Sequence, residues 1–197
     1  MCCRYKYLNA DGKNIQPFQR LFVSLIVQFT FLSITTQIKP IMSIQVGQPA
    51  PDFSLYSSEK QQVTLSELKG QPVLLLFFPL AFTSVCTAEL CSVRDNIGWY
   101  NNINAQVFGI SVDALQTLAK FKEDQHLNFT LLSDFNKEAS RAYGSIYEQF
   151  GYNMKGVSKR SAFVIDKDGI VQYAEVLENA GEVPDFNKIQ AVLAGLN

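Results

Sequence analysis

The sequence predicts an α/β domain with a mixed central sheet, helices on both of its faces and a β-hairpin at its N-terminal edge. Three observations predict it. From Gly47 onward, short strand-like segments alternate with segments of helical periodicity. The run Val73–Phe78 is apolar throughout and bounded by Pro72 and Pro79, as a fully buried strand is. Near the C-terminus, Asp166-Lys167-Asp168-Gly169 joins two strand-like segments with the residues of a hairpin turn. Alternation followed by a hairpin and a helix gives a sheet with helices on both sides.

Taken in order, Phe53-Ser54-Leu55 and Val63-Thr64-Leu65 form the first hairpin, and Ser66–Gly70 a short helical turn ending at glycine. The buried strand Val73–Phe78 runs into a helix in which Leu90, Val93, Arg94 and Ile97 recur at i, i+3, i+4 and i+7, with Thr83 or Ser84 as its cap. A strand at Gln106–Ser111, a helix at Ala114–Asp124, a strand at Thr130–Leu132 and a helix at Lys137–Tyr143 follow. Ala162–Ile165 and Ile170–Val176 are the hairpin strands, and a last helix covers about Asp185–Leu196.

Composition narrows the function classes. A chain of 197 residues with 47% hydrophobic content can bury one substantial core. Its 17 basic and 18 acidic residues are interspersed, without the clustering that a nucleic-acid surface needs, so no nucleic-acid partner is expected. Four cysteines at this length are not a secreted disulfide framework, and the single His126 rules out a multi-histidine metal site. Asp166 and Asp168 read as turn residues because the calcium-loop pattern is absent. Trp99 and Tyr100 read as core or interface aromatics, and His126 as a solvent-facing residue at a helix end.

Residues 1–41 differ from the rest. Arg4, Lys6, Lys13 and Arg20 precede an apolar run from Leu21 to Ile34 that is interrupted by Ser24, Gln28, Thr30 and Ser33. The run is too short and too polar for a membrane-spanning helix. Its order, charge and then apolar segment, resembles a secretory signal, but no small-x-small cleavage site follows before Lys39-Pro40. Three readings of 1–41 stand: a start codon placed upstream of a true start at Met42, a signal or anchor, or a disordered tail. Residues 42–197 form the domain. The expected location is cytoplasmic, or exported if 1–41 is a genuine signal. Cys2 and Cys3 lie in the first segment with no evident partner.

The chemistry is concentrated where the buried strand meets its helix. Cys86 falls in the first turn, where unpaired backbone N–H groups and the positive end of the helix dipole stabilise a thiolate. Cys91 follows five residues later. In an unbroken helix that separation is a rise of about 7.5 Å and a rotation of about 140°, with Cα atoms about 8–9 Å apart. A disulfide tolerates only about 7 Å without backbone movement. Either the two thiols never pair, or pairing unwinds the start of the helix.

This junction resembles the peroxiredoxins. Pro79, Thr83 and Cys86 match the family pattern P-x-x-x-T-x-x-C residue for residue. The resemblance continues through Glu89, Arg94-Asp95, Val107–Ser111, Phe129–Asp134 and Ser158–Asp166, and covers roughly Ser43–Asn197. Pro79–Thr83 and Ile146–Gly151 look most like the alkyl hydroperoxide reductase E type, which often works with one cysteine. Cys91 resembles instead the resolving cysteine of the bacterioferritin comigratory protein type.

What the resemblance implies is a thioredoxin-like fold and a thiol-dependent peroxidase. Cys86 is then the nucleophile, and Arg160, although 74 residues downstream, stands beside it to favour the thiolate. Thr83 offers its hydroxyl to the thiolate or the peroxide, and Pro79 rigidifies and shields the loop. Glu89 orients Arg160 or a proton-carrying water. Attack leaves a sulfenic acid on Cys86; Cys91 then forms an intrachain disulfide, which thioredoxin or a similar dithiol reduces. No metal or other cofactor is expected, and the chain is a monomer or a homodimer. The alternative is a thiol–disulfide oxidoreductase of the thioredoxin fold, which would usually carry C-x-x-C, absent here.

Overall fold

The computed structural model describes residues 44–196, so the expectations for residues 1–41, Cys2 and Cys3 included, lie outside the described residues. In chain order the strands are β1 (Ser54–Ser57), β2 (Gln62–Thr64), β3 (Val73–Phe77), β4 (Gln106–Ser111), β5 (Thr130–Ser133), β6 (Ile146–Tyr147), β7 (Val157–Ser158), β8 (Ser161–Ile165) and β9 (Val171–Val176). The α-helices are α1 (Ser84–Asp95), α2 (Ile97–Asn102), α3 (Leu115–Asp124), α4 (Glu138–Ala142) and α5 (Phe186–Ala194). A 3-10 turn, Leu65–Leu68, follows β2.

Seven strands form one sheet in the order β2-β1-β5-β4-β3-β8-β9. β3 is central, parallel to β4 and antiparallel to β8, and all five of its residues are buried. Its side chains alternate between two cores, as the period of two in a strand requires. Leu74, Leu76 and Phe78 pack with Leu90 and Val93 of α1, Leu118 and Phe121 of α3, and Ile189 and Leu193 of α5. Val73, Leu75 and Phe77 face the other way, toward Phe53, Leu65, Ala139 and Tyr143. Burying both faces is why the sequence of β3 shows no polar alternation.

The expected elements are present, with two departures. Asn96 leaves helical geometry (φ −105, ψ 7), so α1 stops at Asp95 and Ile97 begins a separate helix. β6 and β7 pair as a two-residue ladder, Ile146 with Ser158 and Tyr147 with Val157, too short for alternation to be legible. At the β8–β9 turn, Asp166 behaves as expected: its Oδ1 accepts from the N–H groups of Asp168 and Ile170, each at 2.9 Å. Tyr100 is buried, with Trp99 edge-on at 5.1 Å, and His126 is exposed just past the end of α3.

Candidate active site

Beyond β3, one further bond, Phe78 N–H to the Ile110 carbonyl at 2.9 Å, carries the pairing with β4 to the edge of the site. The chain then turns through residues 79–83. Pro79, buried, brings no N–H donor into that turn. Asp113 clamps it, accepting from the Ala81 N–H and the Ser111 hydroxyl at 2.8 Å each. Phe82 takes a positive φ of 65 and lies edge-on to Phe121 at 5.0 Å. Thr83 occupies the N-cap position with extended backbone, and its carbonyl accepts from Thr87 at 2.9 Å. Its hydroxyl does not cap the helix: it donates to the Leu80 carbonyl at 2.9 Å.

Cys86 is the third residue of α1 and only 1% exposed. Arg160 Nη2 donates to its sulfur at 3.3 Å. The sheet explains how a residue so far along the chain arrives there. β8 runs antiparallel to β3 with Ser161 opposite Phe77, so Arg160, just before β8, lies level with the end of β3, where the turn into α1 begins. Two buried hydroxyl pairs flank its backbone, Ser140 with Ser158 at 3.0 Å and Ser145 with Ser161 at 2.7 Å.

The other guanidinium nitrogens are also engaged. Nη1 forms an ion pair with Glu89 Oε2 in which both side chains are buried. Nε and Nη2 donate to the Ala180 carbonyl at 3.3 and 3.0 Å. That carbonyl is a site group which the sequence does not reveal, because a backbone acceptor leaves no residue-type signal. Glu89, one turn after Cys86, has Oε1 without a hydrogen-bond partner among the described residues. Burial pushes its carboxyl up to about 7, against the opposing pull of Arg160. Burial also works against the Arg160 charge, but Glu89 and Cys86 facing it hold that guanidinium above its ordinary value. One cation thus faces two acids. The charge stays on arginine, whose intrinsic basicity is far the greater, while burial makes the ionisation of Glu89 harder than in water.

Cys91 has different surroundings. It is half-buried, and its sulfur lies 3.8 Å from Gln125 Oε1. Both thiols are free, and α1 is continuous from Ser84 to Asp95, so the separation that forbids a disulfide in an intact helix applies. Next to Cys91, Arg94 Nη1 donates to the Gln125 carbonyl at 2.6 Å, and Asn128 Nδ2 donates to the Arg94 carbonyl at 3.2 Å. Cys86, Glu89 and Arg160 therefore meet in one buried cluster, with Thr83 at the N-cap of the same helix and Pro79 in the turn that leads to it, while Cys91 sits on that helix outside the cluster. Among the described residues no group of three or more His, Cys, Asp or Glu side chains is arranged to hold a metal, and no helix is long and apolar enough to cross a membrane.

The AhpC/TSA family profile matches residues 46–174. A Coxiella burnetii protein named peroxiredoxin bcp is 39% identical over 132 residues, covering 66% of this chain and 87% of its own length. Alkyl hydroperoxide reductase E of Mycobacterium tuberculosis is 38% identical over 156 residues, 78% of this chain and 98% of its own. The crystal structure of peroxidoxin BcpB from Mycobacterium tuberculosis superposes with a TM-score of 0.69 at 29% identity, covering 78% of this chain and 99% of that one.

Proposed function

The chain belongs to the AhpC/TSA family and is a peroxiredoxin, a thiol-dependent peroxidase of the thioredoxin-like fold, and on that premise we propose that Cys86 is the thiol that attacks the peroxide. The observation that carries the assignment is the Arg160 Nη2 donor 3.3 Å from the Cys86 sulfur, buried at the first turn of α1. A guanidinium and a helix N-terminus both favour the thiolate, which is the form that reacts. The thiolate attacks one peroxide oxygen: an S–O bond forms, the O–O bond breaks, and the departing oxygen takes a proton to leave as water or an alcohol. Glu89 orients Arg160 by holding Nη1. Pro79 shields one side of the sulfur. Thr83 turns its hydroxyl onto Leu80 in this state and reaches a bound peroxide by rotating about χ1.

In this proposal Cys91 is the resolving thiol. Its sulfur attacks the Cys86 sulfenic sulfur, expelling water and forming an S–S bond, after the first turns of α1 unwind. A thioredoxin-like dithiol then takes the disulfide by exchange and returns both thiols. Such a cycle suits the reducing cytoplasm, the location we assign.

Intact-mass measurement after one equivalent of hydrogen peroxide tests the cycle. Wild type is expected to lose about 2 Da as a disulfide forms, Cys91→Ser to gain about 16 Da as a sulfenic acid, and Cys86→Ser to stay unchanged. Oxidation of Cys86→Ser at the wild-type rate would overturn the assignment of the nucleophile. A gain of about 16 Da by wild type with Cys91 still free would leave Cys86 standing and remove Cys91 as its partner.

A further inference from the structure

The inner side of Arg160 is fixed by buried groups, but its outer edge depends on a loop. Both Nε and Nη2 rest on the one carbonyl of Ala180. Ala180 belongs to residues 177–182, between β9 and α5, none of which is fully buried. A segment with so little buried surface has few apolar contacts to keep its carbonyl in register with a guanidinium.

Three tethers reach it. The Leu177 N–H donates to the Arg160 carbonyl at 2.9 Å, which fixes the start of the segment only. Lys159 pairs with Glu178, but the Glu178 side chain is 80% exposed, and an ion pair that open to water holds little. The third is Tyr147 of β6, whose hydroxyl donates to the Glu178 carbonyl at 2.9 Å, with the Leu177 carbonyl at 3.4 Å. Its ring is itself held, with Phe150 at 5.1 Å and the Lys159 ammonium 5.6 Å from its centre. A rigid ring with one hydroxyl therefore grips the backbone two and three residues before Ala180.

We propose that Tyr147 is a positioning residue for Cys86, its hydroxyl clasping the 177–178 backbone so that the Ala180 carbonyl keeps Arg160 Nη2 on the Cys86 sulfur. The geometry of the guanidinium makes the carbonyl decisive. With Ala180 in place, Nε–H and one Nη2–H converge on a single acceptor, which fixes the plane of the fork and leaves the second Nη2–H for sulfur. Without it, Arg160 keeps its ion pair through Nη1 and pivots about Glu89, so the donor that drifts is the one aimed at Cys86. The tyrosine acts on the thiol without touching it. This inference rests on the proposal that Arg160 favours the Cys86 thiolate.

Tyr147→Phe keeps the ring contacts and removes only the hydroxyl. The rate of peroxide attack at neutral pH should fall about three- to tenfold, the loss of one hydrogen bond acting at second hand. The rise of thiolate absorbance should move to higher pH, with the urea unfolding midpoint nearly unchanged. A merely structural tyrosine would move that midpoint and leave the thiolate titration alone, which would overturn the proposal. Repeating the change on an Arg160→Ala background separates the two claims, with Arg160→Lys as the background should the alanine variant not fold. On either, Tyr147→Phe should add no further slowing; an equal slowing in both backgrounds would mean that Tyr147 does not act through Arg160. If replacing Arg160 slows the reaction and shifts the titration while Tyr147→Phe does neither, the clasp is wrong and the role of Arg160 survives. If replacing Arg160 leaves the titration in place, both fall.

Discussion

Cys86 sits in the first turn of α1 with a guanidinium nitrogen 3.3 Å from its sulfur, whereas Cys91, on the same helix, has a neutral amide oxygen 3.8 Å from its own. The first thiol is buried beside a charged pair; the second is half-buried at the rim of the same apolar core. The two are close in sequence and share secondary structure, so neither feature separates them. What separates them comes from strands and loops more than thirty residues away. The difference teaches that a helix supplies a thiol with direction and a dipole, while the rest of the fold decides whether a charged donor reaches its sulfur: Arg94, three residues after Cys91, turns its guanidinium to Asp95 and the Gln125 carbonyl instead.

The sharpest test of that contrast replaces each thiol in turn. Cys86→Ser should abolish peroxide consumption, a loss of roughly a thousandfold or more, as expected for removal of a nucleophile. Cys91→Ser should retain the first oxidation at close to the wild-type rate. Stopped-flow traces in which both variants react equally would erase the distinction. The next effect is that of Arg160→Ala, which should slow attack by about ten- to a hundredfold and move thiolate absorbance to higher pH, because one charge-assisted hydrogen bond is lost. An unmoved titration would take Arg160 out of the site.

Glu89 offers a pH signature that the surroundings of Cys91 lack. Its carboxyl is raised to about 7 from 4.5, so the folded chain binds this proton more tightly than the unfolded chain does. The stability it contributes is fully present below the unfolded value and is lost as pH rises through about 7. Glu89→Gln should flatten that decline, changing the difference in unfolding free energy between about pH 5 and about pH 8 by on the order of 2–3 kcal/mol. Urea curves that stay parallel in wild type and variant would show that another group titrates. The smallest expected change is in hydrogen exchange. After oxidation the amides of Ser84 to Cys91 should lose protection by about tenfold, since the disulfide cannot span an intact helix. Full protection in a protein shown to hold the Cys86–Cys91 bond would contradict the need for unwinding.

The strand and helix around Cys86 were legible because their signals are local. Val73–Phe78 is an apolar run between prolines, and the helix after it carries its own periodicity. The break at Asn96 was not legible, since Ile97 continues the apolar spacing and only the backbone at Asn96 departs from it. The two-residue ladder of β6 and β7 leaves no pattern to read. The place of Arg160 came from resemblance rather than periodicity, because it depends on the antiparallel register of Ser161 with Phe77, a long-range pairing that no local window contains. Thr83 was legible as the residue at the helix start but not in its hydrogen bond, which goes backwards to Leu80 instead of forward into the helix. The Ala180 carbonyl and the Tyr147 hydroxyl needed the folded chain.

Arg94 gives α1 unequal ends. Its guanidinium grips the Gln125 carbonyl at 2.6 Å and its own carbonyl is held by Asn128, while the opposite end of the helix follows an exposed threonine whose hydroxyl makes no cap. The helix is therefore a zipper with a stop at one end. Under the proposed pairing, unwinding that brings Cys86 to Cys91 is expected to run from Thr83 inward and to halt short of Arg94, with Val93 still seated in the core. The toll of each opening falls on Leu90, fully buried in the closed helix, whose exposure costs about 1.5–3 kcal/mol. In the proposed cycle an oxidised chain would then stand cocked: the same side chain that resists opening would drive the helix shut once the disulfide had been removed.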